Sequence, residues 1–202
     1  MVLRFVYRLP LALLCLIGVS ASGPQISIVQ VFDQRGLPVE GAVVEVPPPA
    51  GSMRALAFPW RNAMAQRNQT FVPGTLIVPQ GSSVAFPNLD TVRHSIYSFS
   101  KPARFQIDLY GRDQTRSQRF PVLGTVALGC NIHDKMRGYI RVVATPYATA
   151  TDLNGRGQID GLAPGSYRVT IWHPRLRSNS GETVQTVTIA PGTPARVTIE
   201  MR

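Results

Sequence analysis

Four side chains set the chemical question: Cys130, His133, Met136 and His94. The first three stand at intervals of three in Gly124-Thr125-Val126-Ala127-Leu128-Gly129-Cys130-Asn131-Ile132-His133-Asp134-Lys135-Met136. His94 closes the run Phe86-Pro87-Asn88-Leu89-Asp90-Thr91-Val92-Arg93. A strand that ends at Cys130 and enters a tight loop lets the three loop side chains fold back on one point. His94 is expected from another strand at the same end of the fold. One thiolate, two imidazoles and a weak thioether make the trigonal donor set that suits copper in both oxidation states. Calcium and magnesium want a shell of oxygens, whereas the acids here are scattered. Zinc is the competitor because Cys and His bind it well. It wants a fourth hard ligand, and Asp134 could serve only by displacing the thioether.

The elements that must hold these groups read as strands. The chain has 202 residues, 44% hydrophobic, with 17 Gly and 17 Pro. Proline at that density breaks long helices, so a helical bundle is excluded. Apolar residues alternate at Val84 and Phe86, at Val126 and Leu128, at Ile140 and Val142, at Tyr167, Val169 and Ile171, and at Val197, Ile199 and Met201. Period two means strands with one buried face, separated here by Gly, Pro and Asn turns. Phe105–Phe120 is polar and basic without a clear period, and is expected as a long loop or one short helix, with Asp108 and Asp113 as solvated loop charges. Pro47-Pro48-Pro49 opens an irregular stretch that reads as a linker over 48–63. His173, between Trp172 and Pro174, reads as structural or interfacial.

Residues 1–21 look like an address. Arg4 and Arg8 precede a short apolar run that ends in Val19-Ser20-Ala21, the pattern of a cleaved secretory signal. About eleven apolar residues fall short of the roughly twenty that cross a bilayer, so no transmembrane anchor is expected after cleavage. Of the two cysteines, Cys15 leaves with the leader, and Cys130 alone enters an oxidising compartment. A lone thiol there is buried and inert, paired with another chain, or bound to a metal. The joint pattern with two histidines and a methionine favours the metal.

Two resemblances follow from these residues. Phe86, Asn88 and His94, with Gly124, Cys130, His133 and Met136, resemble the ligand motifs of cupredoxins of the plastocyanin and amicyanin kind. Met64-Ala65-Gln66, Phe71-Val72-Pro73 and Gly81 are similar to that family's opening strands. The resemblance implies one type 1 copper ion, with His94, Cys130 and His133 equatorial and Met136 axial. Ser95 stands where the family usually has Asn, and Asn131 where Ser or Thr is usual, so the two polar roles are expected to be exchanged, keeping a hydrogen bond across the site. Ile28–Val44, together with Thr149–Gly155 and Ile159–Tyr167, resembles the carboxypeptidase-regulatory-like, transthyretin-like β-sandwich. The expected fold is therefore all-β: a cupredoxin Greek-key barrel over 64–145, inserted into a sandwich made of 22–47 and 146–202. The combination looks like exported proteins described as methylamine-utilisation-like.

The formal charge is +10, and residues 93–141 hold nine basic and three acidic side chains. Such a field steers an acidic partner. Nucleic acid is not expected, since no recognition helix or aromatic-interleaved basic groove is present. Hydrolytic motifs are missing too, so the protein is read as a non-enzyme. The expected function is a periplasmic one-electron carrier with an acidic redox partner. The alternatives are copper binding and delivery without electron transfer, or a structural envelope module.

Overall fold

Ser27, Val29, Val31 and Asp33 are buried while the residues between them are half-exposed, so Ile26–Asp33 forms a strand, β1, with one face in a core. The computed structural model describes residues 26–48 and 61–202, and every regular element among them is a strand. The leader at 1–21 and most of the linker at 48–63 lie outside the described residues. After β1 comes β2 (Val43–Glu45). A central group follows: β3 (Ala65–Arg67), β4 (Thr70–Val72), β5 (Thr75–Pro79), β6 (Ser82–Pro87) and β7 (His94–Ser98). It continues with β8 (Phe105–Tyr110), β9 (Thr115–Phe120), β10 (Gly124–Gly129) and β11 (Arg137–Val143). The chain closes with β12 (Ala148–Ala150), β13 (Arg156–Asp160), β14 (Gly165–Trp172), β15 (Glu182–Ile189) and β16 (Ala195–Ile199). The all-β architecture expected from the period-two pattern is the one observed.

The strands collect around two cores. A three-stranded sheet, β13-β1-β16, and a four-stranded sheet, β12-β2-β14-β15, enclose Val29, Val44, Ile171, Val187 and Val197. A five-stranded sheet, β5-β11-β10-β7-β8, and the pairs β3-β4 and β6-β9 enclose Phe86, Ile96, Phe120, Val126, Ile140 and Cys130. Each fully buried large apolar side chain contributes about 1.5–3 kcal/mol by leaving water. The chain leaves the first group at Glu45 and re-enters it at Ala148, its antiparallel neighbour across β2 and β12.

Phe105–Phe120 differs from the expectation of a loop or short helix: it is the two strands β8 and β9. Its period was hidden for physical reasons. In β8 Phe105 and Ile107 lean on the core but the next buried residue is Tyr110, out of phase with them, and the β7–β8 register shifts between His94 and Ile96. β9 has one neighbour, β6, and shows solvent a polar face. The connection turns at Asp113, whose φ is 59°. Asp108 therefore sits on a strand rather than a loop, and both acids are exposed.

Where the two groups of sheets meet, Val43, Ile77, Val143, Ala148 and Trp172 form a small third core, with Tyr139 packed against it. Beside it Arg141 of β11 is buried. Its guanidinium donates to Glu45 of β2, to Glu182 of β15 at 2.6 Å and to Thr125 Oγ1 at 2.9 Å. Burial pushes the Glu45 carboxyl above its usual range while Arg141 pulls it back. Burial pulls the Arg141 value down, and Glu45 and then Glu182 more than restore it. A buried charge left without its partner is the costly state.

Arg141→Ala is therefore expected to lower unfolding stability by about 3–5 kcal/mol, measured by urea denaturation at neutral pH. A raised folded-state value means that the protonated carboxyl is favoured at low pH and the ionised one disfavoured above it. The deficit should therefore narrow as pH falls through the elevated Glu45 value, because a neutral carboxyl needs no counter-charge.

Candidate metal centre

The period of β10 sends Val126 and Leu128 inward, and Cys130, one step beyond the strand, continues that phase into the core. Gly129 pairs with Arg137 across β10–β11, so residues 130–136 must close as a short loop between them. The Met136 amide donates to the His133 carbonyl at 2.8 Å, a turn that bends His133 back over Cys130. His94 opens β7, the neighbour of β10. Loop closure and strand adjacency together bring three donors to one place.

The Cys130 Sγ lies 3.8 Å from His94 Nδ1 and 3.9 Å from His133 Nδ1, and the donor atoms of the three residues all fall within 4.8 Å of one another. Two ligands about 2.0 and 2.3 Å from a shared ion stand roughly 3.5 Å apart in a tetrahedron and about 3.7 Å in a trigonal plane. The spacing is that of donors able to share a single ion. His94 is 0% exposed and Cys130 3%, whereas His133 is half-buried. Met136, 2% exposed, belongs to the same core.

The His94 ring is fixed from behind. Its Nε2 is 2.7 Å from the Asp90 carboxylate. A carboxylate only accepts, so Nε2 carries the proton and the Nδ1 lone pair is left free toward Cys130. Asp90 also accepts the backbone amides of Asn68 and Gln69 at the β3–β4 turn, both residues having positive φ. Burial pushes the Asp90 carboxyl up, but the Gln69 amide, His94 and the Asn68 amide together hold it below its usual value. Asn88 supports this corner: its side-chain oxygen accepts the Asp90 amide at 2.9 Å, and its nitrogen donates to the carbonyls of Val92 and Tyr110. Tyr110, opposite His94 across β7–β8, donates to the Phe86 carbonyl, and burial keeps its phenol protonated.

Ser95 Oγ accepts the Asn131 backbone amide at 3.2 Å and lies 4.0 Å from the Cys130 sulfur. A hydrogen bond across the site is present, made by the Asn131 main chain rather than its side chain. His173 stands outside the cluster of donors. Its Nδ1 accepts the Arg175 amide at 3.1 Å, and burial, then Arg175, holds its value down against a hydrogen bond to the Glu40 carbonyl. Sequence reasoning missed Asp90; its signal is a carboxylate four residues before a candidate ligand, which says nothing until the loop between them is known to curl. It also missed Tyr97, whose ring covers Gly129.

No protein-family model matches the chain, and no curated protein matches it. Several solved structures resemble part of it. One is a purple cupredoxin from Nitrosopumilus maritimus, at 20% identity and TM-score 0.38, covering 41% of this chain and 100% of that one. A reduced amicyanin mutant, at 20% identity and TM-score 0.38, covers 50% of this chain and 98% of its own. A Cu-containing nitrite reductase from Thermus scotoductus SA-01, at 24% identity and TM-score 0.39, covers 56% of this chain and 28% of its own.

Asp90→Asn keeps the shape but offers one acceptor oxygen to three donors. It is expected to lower the stability of the metal-free protein by about 1–3 kcal/mol. Nitrogen-15 spectra of the His94 ring should change from a single Nε2–H tautomer to a mixture.

Proposed function

We propose that residues 64–145 form a blue-copper domain that carries one electron at a time between partner proteins outside the cytoplasm. His94, Cys130 and His133 would hold one copper ion, with Met136 as the weak axial ligand. The observation that carries the reading is two imidazole Nδ1 atoms facing one buried thiol at 3.8 and 3.9 Å. Copper bound there supplies the Cu(II)/Cu(I) couple.

The residues themselves do the rest. Asp90 holds the His94 tautomer, the seven-residue loop holds His133 over the thiol, and the surrounding core keeps water from Cys130. Donors held by packing and hydrogen bonds move little when the charge at the centre changes, the property that a carrier needs. The same rigidity argues for retention of the ion over its delivery to an acceptor. Met136 as a fourth ligand would fill the coordination positions, which supports a carrier over a hydrolytic or Lewis-acid catalyst. Half-buried His133 is the donor nearest to solvent, and the exposed Arg93, Lys101, Lys135 and Arg137 fit an acidic partner.

The wider organisation is part of the same proposal. Segments 22–47 and 146–202 would form a carboxypeptidase-regulatory-like sandwich into which the copper domain is inserted, supported by the two separate cores and by the return of the chain at Ala148 opposite Glu45. The signal-like run at 1–21 supports export to the periplasm. No helix among the described residues is long and apolar enough to cross a membrane.

Copper-loaded protein is expected to be intensely blue, with a narrow parallel hyperfine splitting in its EPR spectrum, and to bleach reversibly on reduction. Cys130→Ser should lose the colour. A blue serine variant, or a wild type that takes zinc and refuses copper, would refute the assignment.

A further inference from the structure

We propose that the cleft between the outer face of the four-stranded sheet and the start of β10 binds an amphipathic monocarboxylate, one carboxyl group on an unbranched apolar tail. The inference stands apart from the copper reading. The cleft reaches Gly124, the first residue of β10, whereas Cys130 follows the last. Six strand residues at about 3.3 Å each put roughly 20 Å between the two places. The cleft holds about 710 Å³, within the range of about 300–1,000 Å³ typical of small-molecule sites, which favour junctions between packed units.

Strand register builds one wall. Val169 and Ile171 of β14 point into the first core, so Arg168 and Thr170 face outward. Thr170 stands between Glu45 of β2 and Val184 of β15 on one rung, and Arg168 lies two residues along the same face. All four line the cleft. Val184 is 50% exposed, and Leu123, which precedes β10, is 44% exposed. Pro47 and Pro48, both exposed, add to the lining. Apolar side chains exposed singly are ordinary; four gathered in one concave place make a seat for an apolar tail.

The charged groups select the head. Arg141 donates through Nε to Glu45 and through Nη1 to Glu182 and Thr125. Its Nη2 has no acceptor among the described residues, and Arg141 too lines the cleft. Glu45 and Glu182 already answer Arg141. Arg168 is exposed and enters none of the ion pairs among the described residues, so it is the cation of the lining without a counter-charge. One uncompensated cation asks for a monoanion, and the two carboxylates beside Arg141 disfavour a dianion. A carboxylate pairs with the Arg168 fork through both oxygens, and one of them also serves Arg141 Nη2.

The test titrates sodium decanoate, below its micelle concentration, into the full mature chain in its metal-free form. The amide resonances of Leu123, Thr170 and Val184 should shift, while those of Ile132 and His133 stay. Affinity should rise by up to about fourfold for each buried methylene from hexanoate to decanoate. Decanoate should bind about tenfold more tightly than decanol, the step expected of a charge-assisted hydrogen bond. Arg168→Gln should erase that advantage and leave decanol binding unchanged, and Val184→Asp should weaken both. Both side chains are exposed, so the variants should keep the wild-type melting curve. No shift with decanoate, equal affinities for decanol and decanoate, or an Arg168→Gln variant that binds decanoate as the wild type does would overturn the proposal. So would Overhauser contacts between the cleft and residues 49–60 in the unliganded chain, since the linker would then be the occupant.

Discussion

Polar groups placed in an apolar core must each find a partner, and this one requirement organises the metal end of the molecule. An imidazole has two nitrogens. Once His94 Nε2–H donates to Asp90, only Nδ1 remains, and it faces the Cys130 sulfur. Asp90 in turn would be an uncompensated buried charge without the amides of Asn68 and Gln69. The β3–β4 turn adopts two left-handed residues to present those amides. Strand ends, turn conformation and ring orientation are thus consequences of one accounting problem, solved locally.

Much of this was legible in the residue order. Cys130, His133 and Met136 lie within one loop, and a loop of seven residues leaves little freedom about where its side chains converge. His94 was reachable through its spacing from Phe86 and Asn88, the pattern that resembles the cupredoxin ligand motif. Of the relations that stayed hidden, Asp90 with His94 depends on the curl of the loop between them, and the others join residues through strand pairing. Tyr97 covers Gly129 because β7 and β10 are neighbours at that rung, and nothing in either local sequence announces the match. The polar strands β8 and β9 were hidden for a related reason: a strand with one neighbour and a solvated face has little need of apolar alternation.

The junction between the two groups of sheets follows a different logic. Val43, Ile77, Val143, Ala148 and Trp172 supply apolar contact, while Arg141 sits between two carboxylates of the four-stranded sheet. Apolar contact alone tolerates sliding, but a guanidinium shared by Glu45, Glu182 and Thr125 has fixed directions. Of the nine basic residues in 93–141, Arg141 is the one withdrawn from the surface, where it sets orientation instead of adding to the external field.

The pairing of Glu45 with Ala148 has a consequence for how such a molecule can change over evolutionary time. Seen from the host ladder, everything from Val46 to Tyr147 is the connection of a single hairpin. Closing a connection costs only about 0.6 kcal/mol more for each doubling of its length. The ladder is therefore nearly indifferent to how long that connection is, but not to what it carries: a shortened or exchanged segment would leave Glu45 without the guanidinium of Arg141 and Trp172 without Tyr139.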